Sequence, residues 1–124
     1  MAERKGPVGG ADATEPVELR RLRRRIDALD RRIVRLLNER AELARDAGRV
    51  KTTTRRRAIR DPRREREILL RVSMANEGPT PQADLLAVFK RLFAVARSLE
   101  RRDRLRERRT ASFGDPAGNP EDER

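Results

Sequence analysis

From Leu19 the chain repeats apolar residues at alternating steps of three and four: Leu19, Leu22, Ile26, Leu29, Ile33 and Leu36, then Arg40, Leu43, Ala47 and Val50. Such a 3-4 repeat is one stripe of a long amphipathic helix. The helix should run from about residue 15 to about residue 53, on the order of 55 Å at 1.5 Å per residue. That is longer than a small domain is wide, so one compact chain of 124 residues cannot bury the stripe. It needs a partner helix, and a second copy of the chain is the expected source.

Arg40 stands in that stripe where a leucine belongs. Drawing a guanidinium out of water is costly unless an anion or acceptor meets it. No aspartate or glutamate occupies another stripe position of the segment, which points to a carboxylate from outside the protein. The plainer alternative is an arginine that snorkels to the surface or pairs with a distant glutamate.

Composition removes several function classes. There is no Cys and no His, hence no disulfide, no thiolate nucleophile or thiolate metal site, and neither the usual general base nor the commonest metal ligand. No cofactor and no metal are expected. No apolar run approaches the roughly 18 residues of a membrane span, and no signal-peptide segment follows Met1, so a soluble cytoplasmic protein is expected. The net charge of +11 comes almost wholly from arginine, since lysine occurs only at positions 5, 51 and 90. A basic chain can hold nucleic acid through its phosphates. Against that stand the near absence of aromatic stacking residues and two long helices whose stripes are spent on packing.

Residues 1–14 are polar, rich in Gly and Ala and without periodicity, and read as a disordered leader. Thr14 is a plausible N-cap, with Glu15, Pro16 and Glu18 in the first turn. After a polar connector over 52–60, Asp61-Pro62 opens a second helix whose apolar face is Ile68, Leu69 and Val72. Gly78 and Pro79 end it. Thr80-Pro81 starts a third, with Leu85, Val88, Phe89, Leu92, Phe93, Ala96 and Leu99 as its stripe. From Arg101 the chain is too charged for a core, and 106–124 read as a disordered tail, leaving 15–105 as the domain. Nothing reads as a strand. The expected fold is all-α: a long, a short and a medium helix in an intertwined homodimer.

Several charged residues lie on or beside these stripes. Arg23 and Lys51 each follow a stripe residue directly, Glu65 falls in the first turns of helix two, and Glu100 borders the stripe of helix three. Singly, each reads as a solvated face in a chain that is 43% charged. Together they are three cations and two carboxylates converging without a nucleophile among them. Arg23 and Arg40 are separated by about 25 Å along one helix. If both grip one small dianion, they come from different chains packed antiparallel.

The stretches LRRRIDALD (22–30), LLNERAELA (36–44), GRVK (48–51), DPRRE (61–65), NEGP (76–79) and LAVFKRLF (86–93) follow in order. Over roughly residues 16–100 the chain resembles the all-α chorismate mutase family. The resemblance implies rearrangement of chorismate to prephenate, a [3,3] sigmatropic shift in aromatic amino-acid biosynthesis that needs no nucleophile, metal or redox cofactor. It implies a homodimer with shared sites for a dianionic substrate. Arg23 of the partner chain and Arg40 would bind the two carboxylates, and Lys51 one carboxylate and the ether oxygen. Asp61, largely through its backbone, and Glu65 would hold the ring hydroxyl with Arg64 nearby, and Glu100 would be the second donor to the ether oxygen.

Two positions depart from the family's commonest pattern: Ala96 replaces a serine and Glu100 a glutamine. Ala96 donates no hydroxyl hydrogen bond. Glu100 donates only when protonated, which implies activity that falls as pH rises through its titration. These changes keep alternatives open on the same fold, namely a 4-amino-4-deoxychorismate mutase of antibiotic biosynthesis or an isochorismate pyruvate lyase. A basic helical nucleic-acid-binding protein is a third reading.

Overall fold

Pro16 decides where the first helix begins, because its carbonyl accepts the first helical hydrogen bond, from the Arg20 N–H at 3.1 Å. The computed structural model describes residues 15–54 and 59–114. The expected leader over 1–14, with its Thr14 cap, and the stretch 115–124 lie outside the described residues. Three helices follow in order: α1 (Val17–Thr53), α2 (Pro62–Ala75) and α3 (Gln82–Gly114). No strand occurs among the described residues, and no helix is long and apolar enough to cross a membrane. The chain divides into two units at Glu39/Arg40.

In the first unit, residues 17–39 of α1 carry the apolar stripe on open surface. Leu22, Ile26, Ile33 and Leu36 are each at least 51% exposed. The helix start is tied locally. Arg23 Nη1 donates to Glu15 Oε1 at 2.8 Å, and Arg20 Nη1 donates to the Glu15 carbonyl at 2.7 Å. Glu15 and Glu18 lie at the positive end of the helix dipole, which favours both carboxylates.

The second unit contains the end of α1, α2 and α3. α1 stops in a threonine run: Thr52 Oγ1 donates to the Gly48 carbonyl, and Thr53 and Thr54 Oγ1 to that of Val50. These hydroxyls engage carbonyls of the last turns, where backbone acceptors begin to lack intrahelical donors. α2 starts as expected, with Pro62 at its first position and the Asp61 carboxylate accepting from the Arg64 N–H at 3.1 Å. It ends at Asn76, whose Oδ1 accepts from the Gly78 N–H at 2.9 Å; Gly78 has a φ of 78°, in the region where a side chain would clash. α3 begins one residue later than the Thr80-Pro81 pattern suggests. Pro81 is the cap, and its carbonyl accepts from the Leu85 N–H.

α2 packs on α3, and Ile68, Leu69 and Val72 of α2 and Leu85, Phe89 and Leu92 of α3 are half-buried. Phe93, 6% exposed, is the one buried apolar side chain among the described residues. A chain with so little core buries too little apolar area to stabilise itself strongly.

The third helix corrects one expectation. Residues 106–114, read as disordered tail, are helical, and α3 has 33 residues, nearly the 37 of α1. Two features bear on this end of α3. Arg45 grips Asp103 with two parallel bonds of 3.0 Å, the bidentate geometry that makes such pairs strong. The Arg-, Leu- and Glu-rich run also has high intrinsic helix propensity. The same pair leaves an electrostatic signature. The Arg45 hydrogen bond and charge hold the Asp103 carboxyl below the usual carboxylate range, against the opposing effect of burial. Arg45 in turn is raised, first by its hydrogen bond to Asp103.

Candidate active site

Within the second unit a cavity of about 330 Å³ opens between the end of α1, the start of α2 and the middle of α3. α1 contributes Arg40, Leu43, Ala44, Ala47 and Lys51. Their spacing of three and four residues is that of one helix face. Ile59, Asp61, Arg64, Glu65 and Ile68 come from the connector and the first turns of α2, and Phe93, Ala96, Arg97 and Glu100 from α3. Arg40, Lys51, Asp61, Arg64, Glu65 and Glu100, all expected from the sequence, therefore share one cavity. Arg23 is not among its lining residues; it lies in the first unit, paired with Glu15.

The charged groups are not equivalent. Glu100 is buried at 8% exposure. Its Oε1 lies 3.2 Å from Lys51 Nζ and 3.2 Å from Arg104 Nη2. Gly48 makes room for it, since a Cβ there would sit 3.1 Å from the Glu100 Cγ, Cδ and Oε1. Glu65 Oε2 accepts from Arg97 Nη1. Asp61 spends its side chain on capping α2, and Arg64 Nη1 approaches Glu67 Oε2 at 3.5 Å.

Arg40 has no carboxylate partner among the described residues. Its guanidinium carbon instead lies 5.9 Å from the Phe89 ring centroid and 5.7 Å from that of Phe93. Aromatic faces attract a cation while leaving its five N–H donors available for an anion. The cavity thus combines a fork-shaped cation, a lysine 11 positions further along the same helix, and a carboxylate at each of two other walls.

A profile of the chorismate mutase type II family matches residues 22–101. The chain belongs to that family. It is 38% identical over 89 residues to the bifunctional chorismate mutase/prephenate dehydratase of Aquifex aeolicus, covering 68% of this chain and 24% of that protein. The protein of the same description from Stutzerimonas stutzeri is 34% identical over 91 residues, 70% of this chain and 25% of that one. The chain thus spans about a quarter of the length of these curated relatives. Among solved structures it is similar to chorismate mutase (form II) from Thermus thermophilus, with 35% identity and a TM-score of 0.65 over 68% of this chain and 96% of that one. Form I of the same protein gives 34% identity and a TM-score of 0.61 over 64% of this chain and 98% of that one. The family match contains every expected site residue from Arg23 to Glu100, and it stops before most of the α3 extension.

Arg97 has no place in the expectation from sequence. Its signal was nonetheless available: it directly follows the stripe residue Ala96, the same relation by which Lys51 follows Val50. Phe93 was read as packing alone, yet it both lines the cavity and faces Arg40.

Proposed function

We propose that this chain is a chorismate mutase, converting chorismate to prephenate. The observation that carries this reading is Arg40, a guanidinium inside the cavity, backed by two aromatic rings and without a carboxylate of the described chain. Such a group suits bidentate capture of a substrate carboxylate.

The rearrangement breaks one carbon–oxygen bond and forms one carbon–carbon bond within a single molecule, so no group of the protein forms a bond to the substrate. What accelerates it is confinement of the reactive chair-like conformer and stabilisation of the charge that grows on the ether oxygen. Arg40 anchors a carboxylate. Lys51, 3.2 Å from Glu100 Oε1, reaches one carboxylate and the ether oxygen. Glu65 and the Asp61 backbone hold the ring hydroxyl, with Arg64 beside them. Glu100 donates to the ether oxygen when it carries a proton, and Ala96 leaves that side of the cavity without a hydroxyl donor.

The second carboxylate calls for Arg23 of another copy. The open stripe on residues 17–39 of α1 supports a homodimer, because apolar side chains repeating in one row are what a partner helix covers. A cytoplasmic location accompanies this role in amino-acid biosynthesis.

The test is the loss of chorismate absorbance on adding the purified full chain, with product identification, run beside 4-amino-4-deoxychorismate and isochorismate. Conversion of chorismate to prephenate is expected. Absence of any turnover of chorismate refutes the proposal, and a monomer at assay concentration refutes the shared site.

A further inference from the structure

Glu65 reaches the cavity from α2 and Arg97 from α3, and the two are bonded to each other there. Their side chains are 20% and 23% exposed, so water screens the pair only in part. Arg97 Nη1 engages Oε2 alone, and the other oxygen of Glu65 has no protein partner among the described residues. A carboxylate in this state keeps an acceptor for an incoming hydrogen-bond donor. Its negative charge, however, is already offset.

We propose that Arg97 is a specificity-determining residue, which sets the hydroxyl-bearing substrate apart from one with an ammonium at the same ring position. The inference rests on the reading of this cavity as a mutase site. Glu65 alone would accept from a hydroxyl and attract an ammonium more strongly still, because the latter adds charge to the hydrogen bond. With Arg97 bonded to it, the local field felt by a cation is close to neutral or repulsive, whereas a hydroxyl loses little. A second positive charge a few ångströms from the ring substituent, partly screened, corresponds to a discrimination on the order of ten- to hundredfold.

A purely structural Arg97, one that only ties α2 to α3, makes a different prediction: its removal lowers turnover of both substrates alike. The experiment therefore reads a ratio. With the full chain, kcat/KM is measured for chorismate and for 4-amino-4-deoxychorismate, using wild type, Arg97→Gln and Arg97→Lys. Arg97→Gln is expected to move the ratio toward the amino substrate by about tenfold or more. Arg97→Lys keeps the charge and is expected to hold the ratio near the wild-type value. Glu65→Gln, a variant that keeps Arg97, supplies a second arm. With the carboxylate charge gone and the cation left, the ratio should shift further toward the hydroxyl substrate. An unchanged ratio in Arg97→Gln, or a shift toward the amino substrate in Glu65→Gln, overturns the inference while chorismate is still turned over by wild type. Wild type that turns over neither substrate instead overturns the mutase reading itself.

Discussion

Gly48→Ala probes how α1 is fitted to Glu100. The new Cβ would lie 3.1 Å from three atoms of the Glu100 side chain, whereas carbon atoms pack best at about 3.5–4.0 Å. The carboxyl group must therefore retreat by roughly half an ångström. It is not a free chain end: it is buried, and Lys51 and Arg104 both hold its Oε1 at 3.2 Å. Overpacking of this kind costs about 1–3 kcal/mol. Alanine in a helix interior is about 1 kcal/mol better than glycine, so the net expectation is a loss of about 0–2 kcal/mol. When Glu100→Ala removes the obstacle, the same change should stabilise by about 1 kcal/mol. The coupling between the two positions is then about 1–3 kcal/mol. Urea denaturation of wild type, both single variants and the double variant, all at one protein concentration, measures it. Turnover should fall about tenfold in Gly48→Ala alone, as small misplacements of a positioned group do. If Gly48→Ala stabilises by about 1 kcal/mol in both backgrounds, the close approach is not what requires a glycine here.

Three further outcomes are expected. Arg40→Leu completes the apolar stripe and should change stability by no more than about 1 kcal/mol, while kcat/KM for chorismate falls by about 10²–10³, the usual effect of losing one preorganised donor; retained turnover would remove Arg40 from the mechanism. Arg45 holds Asp103 below the usual carboxylate range, so the pair's contribution is complete above the unfolded value of about 4 and is lost as pH falls through the lower folded one. The melting-temperature gap between wild type and Asp103→Asn should therefore be constant above about pH 5 and shrink below about pH 4; a gap that widens on acidification contradicts it. Glu100→Gln puts an amide N–H donor where the carboxylate now meets Lys51 and Arg104, so kcat/KM for chorismate should be kept or raised, and a fall of about tenfold or more would show that the charge at this position, rather than a donor, is what turnover needs.

The fold was legible wherever local chemistry and periodicity agree. The stripe from Leu19 to Val50 announces α1, and Asp61-Pro62 announces α2 because cap and first position carry the residues those sites prefer. The proline signal is off by one position at Pro81 and by two at Pro16, since a proline carbonyl caps as well as any other. The extension of α3 was not legible. Composition describes RRDRLRERR as solvated, and solvated it largely is. Within it Asp103 is bonded to Arg45, 58 positions away, and no local pattern encodes such a pairing.

The site shows the same division more sharply. Arg40, Lys51, Glu65 and Glu100 could be picked out because each lies on or beside an apolar stripe, and a charge there has no cheap solvent-facing alternative. What sequence could not give is which charges cancel. Lys51 and Arg104 both reach Glu100, and Arg97 offsets Glu65. Arg40, in contrast, meets only the π-faces of Phe89 and Phe93. Each such contact is worth about 0.5–1 kcal/mol at a partly exposed position, and neither ring neutralises the charge. A half-buried arginine without a carboxylate partner among the described residues is suited to an incoming anion, and the same helix leaves its apolar row from Leu19 to Leu36 exposed. Both features are what the proposed homodimer and its dianionic substrate would use.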